Sequence, residues 1–205
     1  MKTRFAILSA AAAAALFAAS GFAQTPPPPT QQPNPATLGQ RKENQQDRIA
    51  NGVASGQLTA GETKNLESRE AGLNAETRSM RAADDGHLTA ADKAKLNRRQ
   101  NRLSSSIYAD KHNAAEQHNG PGAIGQRDEN QQDRIANGIK NGSLTAGESA
   151  RLEKQQQGTN REAAGMRQAN GGKLSAADKK VLNQQQNKNS KNIYNKKHNN
   201  ARGGR

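Results

Sequence analysis

Sliding the sequence along itself by 86 residues aligns positions 38–113 with 124–199 without a gap, and 43 of those 76 positions are identical. Whatever fold one copy adopts, the other must be able to adopt as well. ENQQDRIANG at 43–52 recurs unchanged at 129–138, and LTAGE at 58–62 recurs at 144–148. A fainter period of 30 lies inside each copy. GQLTAGE at 56–62 answers GHLTAAD at 86–92, and GSLTAGE at 142–148 answers GKLSAAD at 172–178. The chain thus carries Gly-x-Leu-Ser/Thr-Ala-x-acid four times.

Each occurrence predicts a helix start. Thr59, Thr89, Thr145 and Ser175 stand as N-caps, with Glu62, Asp92, Glu148 and Asp178 three residues on, where a capping box places its acid. Asp has the shorter arm and weakens the reciprocal bond, but it still suits the positive end of a helix. Apolar spacing outlines the helices themselves. Ile49 and Val53 are four apart, Leu66, Leu73 and Met80 are seven apart, and Leu96, Leu103 and Ile107 form a third stripe with Tyr108 beside it.

The expected fold is all-α, two tandem copies of a helix, turn, long helix, turn, helix unit. Packing of three helices within each copy is the preferred arrangement. The seven-residue spacing leaves open that the copies pack on each other or on another chain. Leu73 and Leu103 become Thr159 and Asn189 in the second copy, which is expected to be the less stable half.

The remaining segments divide the chain. Lys2, Arg4, the apolar run Phe5 to Phe17 and the small residues up to Ala23 predict a secretory signal over 1–23, too short an apolar run for a membrane anchor. A Pro-rich linker covers 24–37, copy one 38–118, a short linker 119–123, copy two 124–199 and a disordered tail 200–205. The expected location is periplasmic or secreted, with no transmembrane segment after cleavage.

An exported chain with no Cys has neither disulfides nor thiolate chemistry. Leu, Ile, Val and Phe together number 25 of 205 residues, there is no Trp, and all three Phe lie before residue 23. So few large apolar groups restrict the chain to a thin core of helices or to partial disorder. Charge is uneven. Residues 41–119 hold 13 basic against 11 acidic side chains, whereas 127–205 hold 16 against 7. After Asp178 no acid follows, only Lys179, Lys180, Lys188, Lys191, Lys196, Lys197, Arg202 and Arg205. These eight are the candidate anion-binding residues, and anionic envelope lipid, cell-wall polymer or a nucleic-acid backbone is the class of partner they suit.

The segments 51–62 and 137–148 have the spacing of an EF-hand calcium loop. Its ligand positions would fall on Asn51, Ser55, Thr59 and Glu62, and on Asn137, Asn141, Thr145 and Glu148. Position 3, however, is Val53 or Ile139, and the two remaining segments start on Arg81 and Arg167. A hard dication needs several anionic oxygens, and these loops offer mostly one carboxylate. A glycine-bent turn feeding a capped helix is the expected role, and no metal or other cofactor is assigned.

No Walker loop, GxSxG, HExxH or Cys nucleophile appears, so no enzymatic activity is expected. His112 and His118 offer too few ligands for a zinc or copper site. Tyr108-x-x-x-His112 and Tyr194-x-x-x-His198 place a Tyr to close an apolar stripe and a His to cap the last turn. With Tyr194 alone available to stack on a base, sequence-specific nucleic-acid binding is not expected.

The run R-I-x-N-G-x-x-x-G-x-L-T-A-G-E, followed by I-Y-x-x-K-H-N, resembles a group of small exported bacterial proteins of unknown function, over about Leu38 to Asn199. The resemblance implies export and a helical repeat, and nothing catalytic. Three functions stay open: anion binding through the basic second copy, self-association or protein binding through the Leu66/Leu73/Met80 stripe, and a degenerate EF-hand-like calcium binder.

Overall fold

The computed structural model describes residues 36–202. The signal segment, most of the Pro-rich linker and Arg205 lie outside them. Six helices follow one another: α1 Leu38–Ala54, α2 Ala60–Ala83, α3 Ala90–Lys111, α4 Gly122–Lys140, α5 Ala146–Ala169 and α6 Ala176–Lys197. Four begin at the repeated motif, where a hydroxyl and an acid exchange hydrogen bonds. Glu62 N–H donates to Thr59 Oγ1 at 3.3 Å, and Thr59 N–H donates to Glu62 Oε2 at 2.9 Å. The Asp boxes close too, with Ser175 N–H to Asp178 Oδ2 at 2.9 Å and Thr89 N–H to Asp92 Oδ2 at 3.2 Å. A fifth box, Thr37 with Gln40, starts α1. The repeat pattern does not reveal it, because α4 starts instead on Pro121 with no side-chain cap.

The turn between the first two helices of each copy is built around two glycines. Gly56 (φ +72°) and Gly142 (φ +70°) adopt the left-handed conformation that side chains disfavour. This bend returns Leu58 N–H to Gly52 O and Leu144 N–H to Gly138 O, both at 3.0 Å. A Cβ on Gly52 or Gly138 would stand 2.6 Å from the plugging leucine's Cδ1. That accounts for the Asn-Gly step one turn before each helix end. The motif's Arg has a separate task. Arg48 donates to Ser104 Oγ (2.6 Å) and Ser104 O (3.1 Å), fastening α1 to α3, and Arg134 repeats this on Ser190.

Packing corrects the expectation of a separate core in each copy. Within a copy, α3 lies on α1 and α2, and α6 lies likewise on α4 and α5. Across the copies α2 packs on α5 and α1 on α4. Equivalent helices meet each other, so the duplicated chain reproduces the self-complementary contact of a symmetric dimer. One cluster runs through both halves, with nine buried members from copy one, among them Ile49, Leu66, Leu73 and Ile107, and six from copy two, among them Ile135, Leu144, Leu152 and Ile193. A unit of this size rarely draws more than about 3–5 kcal/mol from a core of its own, and here the apolar residues of both copies are pooled in one. Leu66 and Leu73, offered by the sequence as a surface for a partner, are 1% and 6% exposed inside this shared core.

In copy two the apolar cluster breaks. Ile124, Ala163 and Leu182 form a satellite of their own. Between it and the main core, Asn189 Nδ2 donates to Thr159 Oγ1 (3.0 Å) and Gln156 Oε1 (3.3 Å), and Gln156 Nε2 donates to Gln131 Oε1 (2.8 Å). All four side chains are buried. Thr159 and Asn189, standing where copy one has Leu73 and Leu103, thus belong to a hydrogen-bonded polar layer where copy one has apolar contact.

Candidate functional site

The calcium-loop residues lie in a different framework from the one their spacing suggested. Helix α1 runs on to Ala54 and α4 to Lys140, so Asn51, Val53, Asn137 and Ile139 are helical and only Ser55–Thr59 and Asn141–Thr145 remain as turns. A twelve-residue loop does not form. The helix continues because its i→i−4 bonds can be made up to the glycine bend, as in Ser55 N–H to Asn51 O at 3.0 Å. Ser55 Oγ turns to Gly52 O, and Asn141 Oδ1 accepts from Ser143 N–H at 3.0 Å.

The closing acids are bonded on both oxygens. Glu62 Oε2 completes the cap while Oε1 accepts from Asn113 Nδ2 at 2.6 Å. Glu148 does the same with Asn199, also at 2.6 Å, and Lys196 Nζ stands 3.7 Å away. Burial pushes Glu148 up, yet Asn199, Thr145 and Lys196 outweigh it and hold the carboxyl below its ordinary range. The closing Asn of K-H-N is thus a latch from the last helix of each copy to its first turn. Among the described residues no three His, Asp or Glu side chains gather as a metal site would require.

The basic residues divide into two groups. Lys179, Lys180, Lys188 and Lys191 are exposed on α6, and Arg202 is exposed beyond it. Lys196 reaches toward Glu148, and Lys197 Nζ donates to Arg134 O at 3.2 Å, so these two turn toward the protein. At 100° per residue Lys180, Lys188 and Lys191 share one face of α6, and Tyr194 falls on it as well. Tyr194 is 57% and Tyr108 62% exposed, so neither closes an apolar stripe. Ile107 and Ile193, one position earlier and buried, do that. The His cap is present: the Nδ1 of His112 and of His198 donates to the Tyr carbonyl four residues back, at 2.7 Å, and each ring stacks on that Tyr.

A group of buried acids is the largest departure from the sequence expectation. Glu67, Glu70, Glu153 and Asp128 are each at most 3% exposed. Glu67 and Glu153 are equivalents on α2 and α5, the helices that join the copies. Gln46 Nε2 and Gln132 Nε2 each donate to one oxygen of them, at 3.5 and 3.1 Å, while Oε1 of both has no partner. Burial pushes Glu67 well above the ordinary range, reinforced by Glu70 and Glu153, with Gln46 and Lys42 opposing. Burial raises Glu153 to about 8, Glu70 to about 7 and Asp128 to about 6. Glu70 was visible in the sequence, lying four after Leu66 and three before Leu73 on the same stripe.

No family model, characterised protein or solved structure matches this chain.

Proposed function

We propose that this is a non-enzymatic, exported helical repeat protein that holds an anionic polymer, lipid surface or nucleic-acid backbone against the exposed lysines of α6. The observation that carries this reading is the one-faced set Lys180, Lys188 and Lys191, on a helix with no acid after Asp178. Export is read from the N-terminal 23 residues. Recognition is by charge rather than by base or sugar identity, because the face carries one aromatic ring, Tyr194.

The shared core governs the choice of test. Removing copy two would expose half of a common core, so the charge must be altered on the intact chain. With Lys180, Lys188 and Lys191 changed to Glu, binding to phosphatidylglycerol vesicles should fall by about 100-fold or more, at about 1 kcal/mol per lysine near an anionic surface. Binding of the unaltered protein should weaken steeply between about 50 and 200 mM salt, because the counterions released on binding are then costlier to free. Equal binding by the variant, with helicity unchanged, contradicts the proposal.

A further inference from the structure

A cavity of about 540 Å³ lies between the copies, walled by α1, α2 and α3 on one side and by the Asn141–Thr145 turn with Arg202 on the other. The 86-residue correspondence shows what a place of this shape accommodates. The equivalent place in the other copy is filled by the chain's own linker. There Gln117 N–H donates to Gly56 O at 2.9 Å, and Gln117 Oε1 accepts from Ala60 N–H at 2.9 Å. Further along, Gly120 lies against Gly125 and the Arg167 guanidinium, so closely that a Cβ on either glycine would overlap its neighbour.

The linker's seat is thus Gly56, Ala60, Gly125 and Arg167. Their counterparts are Gly142, Ala146, Gly39 and Arg81, and all four line the cavity. Among the described residues, the atom nearest to a Cβ added at Gly39 is Thr37 Oγ1, 3.8 Å away, where Gly125 has the linker's Gly120 O against it. One seat for an extended polypeptide therefore occurs twice.

The two seats differ in charge. Asp128 corresponds to Lys42, Ala164 to Arg78, Ala54 to Lys140 and Glu116 to Arg202, each a change toward positive on the cavity side. Only Gln156 to Glu70 runs the other way, and Glu70 is buried and protonated in part at neutral pH. Complementarity then asks for an anionic segment.

We propose that this cavity is a docking site for a short, extended, acidic peptide from a partner. The peptide is held by its backbone N–H donating to Gly142 O, by a side-chain oxygen accepting from Ala146 N–H, and by its carboxylates on Arg78, Arg81 and Lys140. This assignment is independent of the α6 face. The probe is a synthetic peptide copying residues 117–122 with His118→Asp, fluorescently labelled at its N-terminus and with a free C-terminal carboxylate, titrated by anisotropy against the chain from residue 24 to 205. Saturable binding is expected, at least tenfold weaker for a scrambled peptide and for Arg78→Glu/Lys140→Glu, and unchanged for Lys180→Glu/Lys188→Glu. Arg78 and Lys140 are exposed, so the variant should keep its helicity by circular dichroism. Absent saturation, or equal binding by the scrambled peptide or the Arg78→Glu/Lys140→Glu variant, overturns the proposal. Binding that appears only after residues 24–35 or residues 203–205 are deleted assigns the seat to the chain's own segment and overturns it too.

Discussion

Single residues in this molecule matter most where they have no room or no partner. Gly52 and Gly138 have no room, because each carries a leucine 2.6 Å from where its Cβ would be. Gly138→Ala should displace Leu144 and lower stability by about 1–3 kcal/mol, the range for overpacking, read as a lower urea midpoint at constant m-value. Glu67 lacks a partner for Oε1 and has like charges in Glu70 and Glu153 nearby. Glu67→Gln keeps the shape and removes the charge. It should leave stability at pH 5 nearly unchanged and raise it at pH 8–9 by about 1–3 kcal/mol. An equal loss at both pH values would show that Glu67 contributes through its ionised form. These positions also mark the limits of sequence reading. The Asn-Gly step and the capping acids can be read from spacing, because their causes are local. The burial of Glu67 cannot, since it depends on which helix comes to lie over α2.

At the scale of elements, helix existence and helix starts follow from patterns of three, four and seven, and five capping boxes close as hydroxyl–acid or hydroxyl–amide pairs. Helix pairing is another matter. A stripe such as Leu66, Glu70 and Leu73 tells which face is covered but not what covers it, and three-helix packing within a copy was the simpler expectation. The covering turned out to be the other copy's equivalent helix. The polar layer of copy two is an element-scale feature as well, since Asn189, Thr159, Gln156 and Gln131 satisfy one another. Thr159→Leu/Asn189→Leu should restore the leucine pair of copy one, but it takes from the buried Gln156 Oε1 its donor, so the net gain should stay within about 1 kcal/mol. Thr159→Leu alone leaves Asn189 short of an acceptor and should gain less or lose. A thermal shift for the single change as large as for the double would contradict the coupling.

For the whole molecule, the buried acids make stability depend on pH in an unusual direction. Glu153, Glu70 and Asp128 are raised by burial to about 8, 7 and 6, and Glu67 well above its ordinary value. A group raised in the folded state takes up its proton more readily there than in the unfolded chain. Its contribution is complete below the unfolded value of about 4 and is lost as pH rises through the folded one. Stability should therefore fall by several kcal/mol between pH 5 and pH 9. Below about pH 4 the trend reverses, as Glu148, held low in the folded state, takes up its proton. Chemical denaturation across that range measures it, and a stability that rises toward pH 9 contradicts it.

The pH effect is concentrated on the α2–α5 seam because that seam joins the halves, and the halves pool their apolar residues in one core. Differential scanning calorimetry of the chain from residue 24 to 205 at pH 5 tests this most directly. One transition is expected, with the van't Hoff enthalpy equal to the calorimetric enthalpy, because the two copies unfold as one cooperative unit. Two resolved transitions, or a calorimetric enthalpy near twice the van't Hoff value, would contradict the shared core.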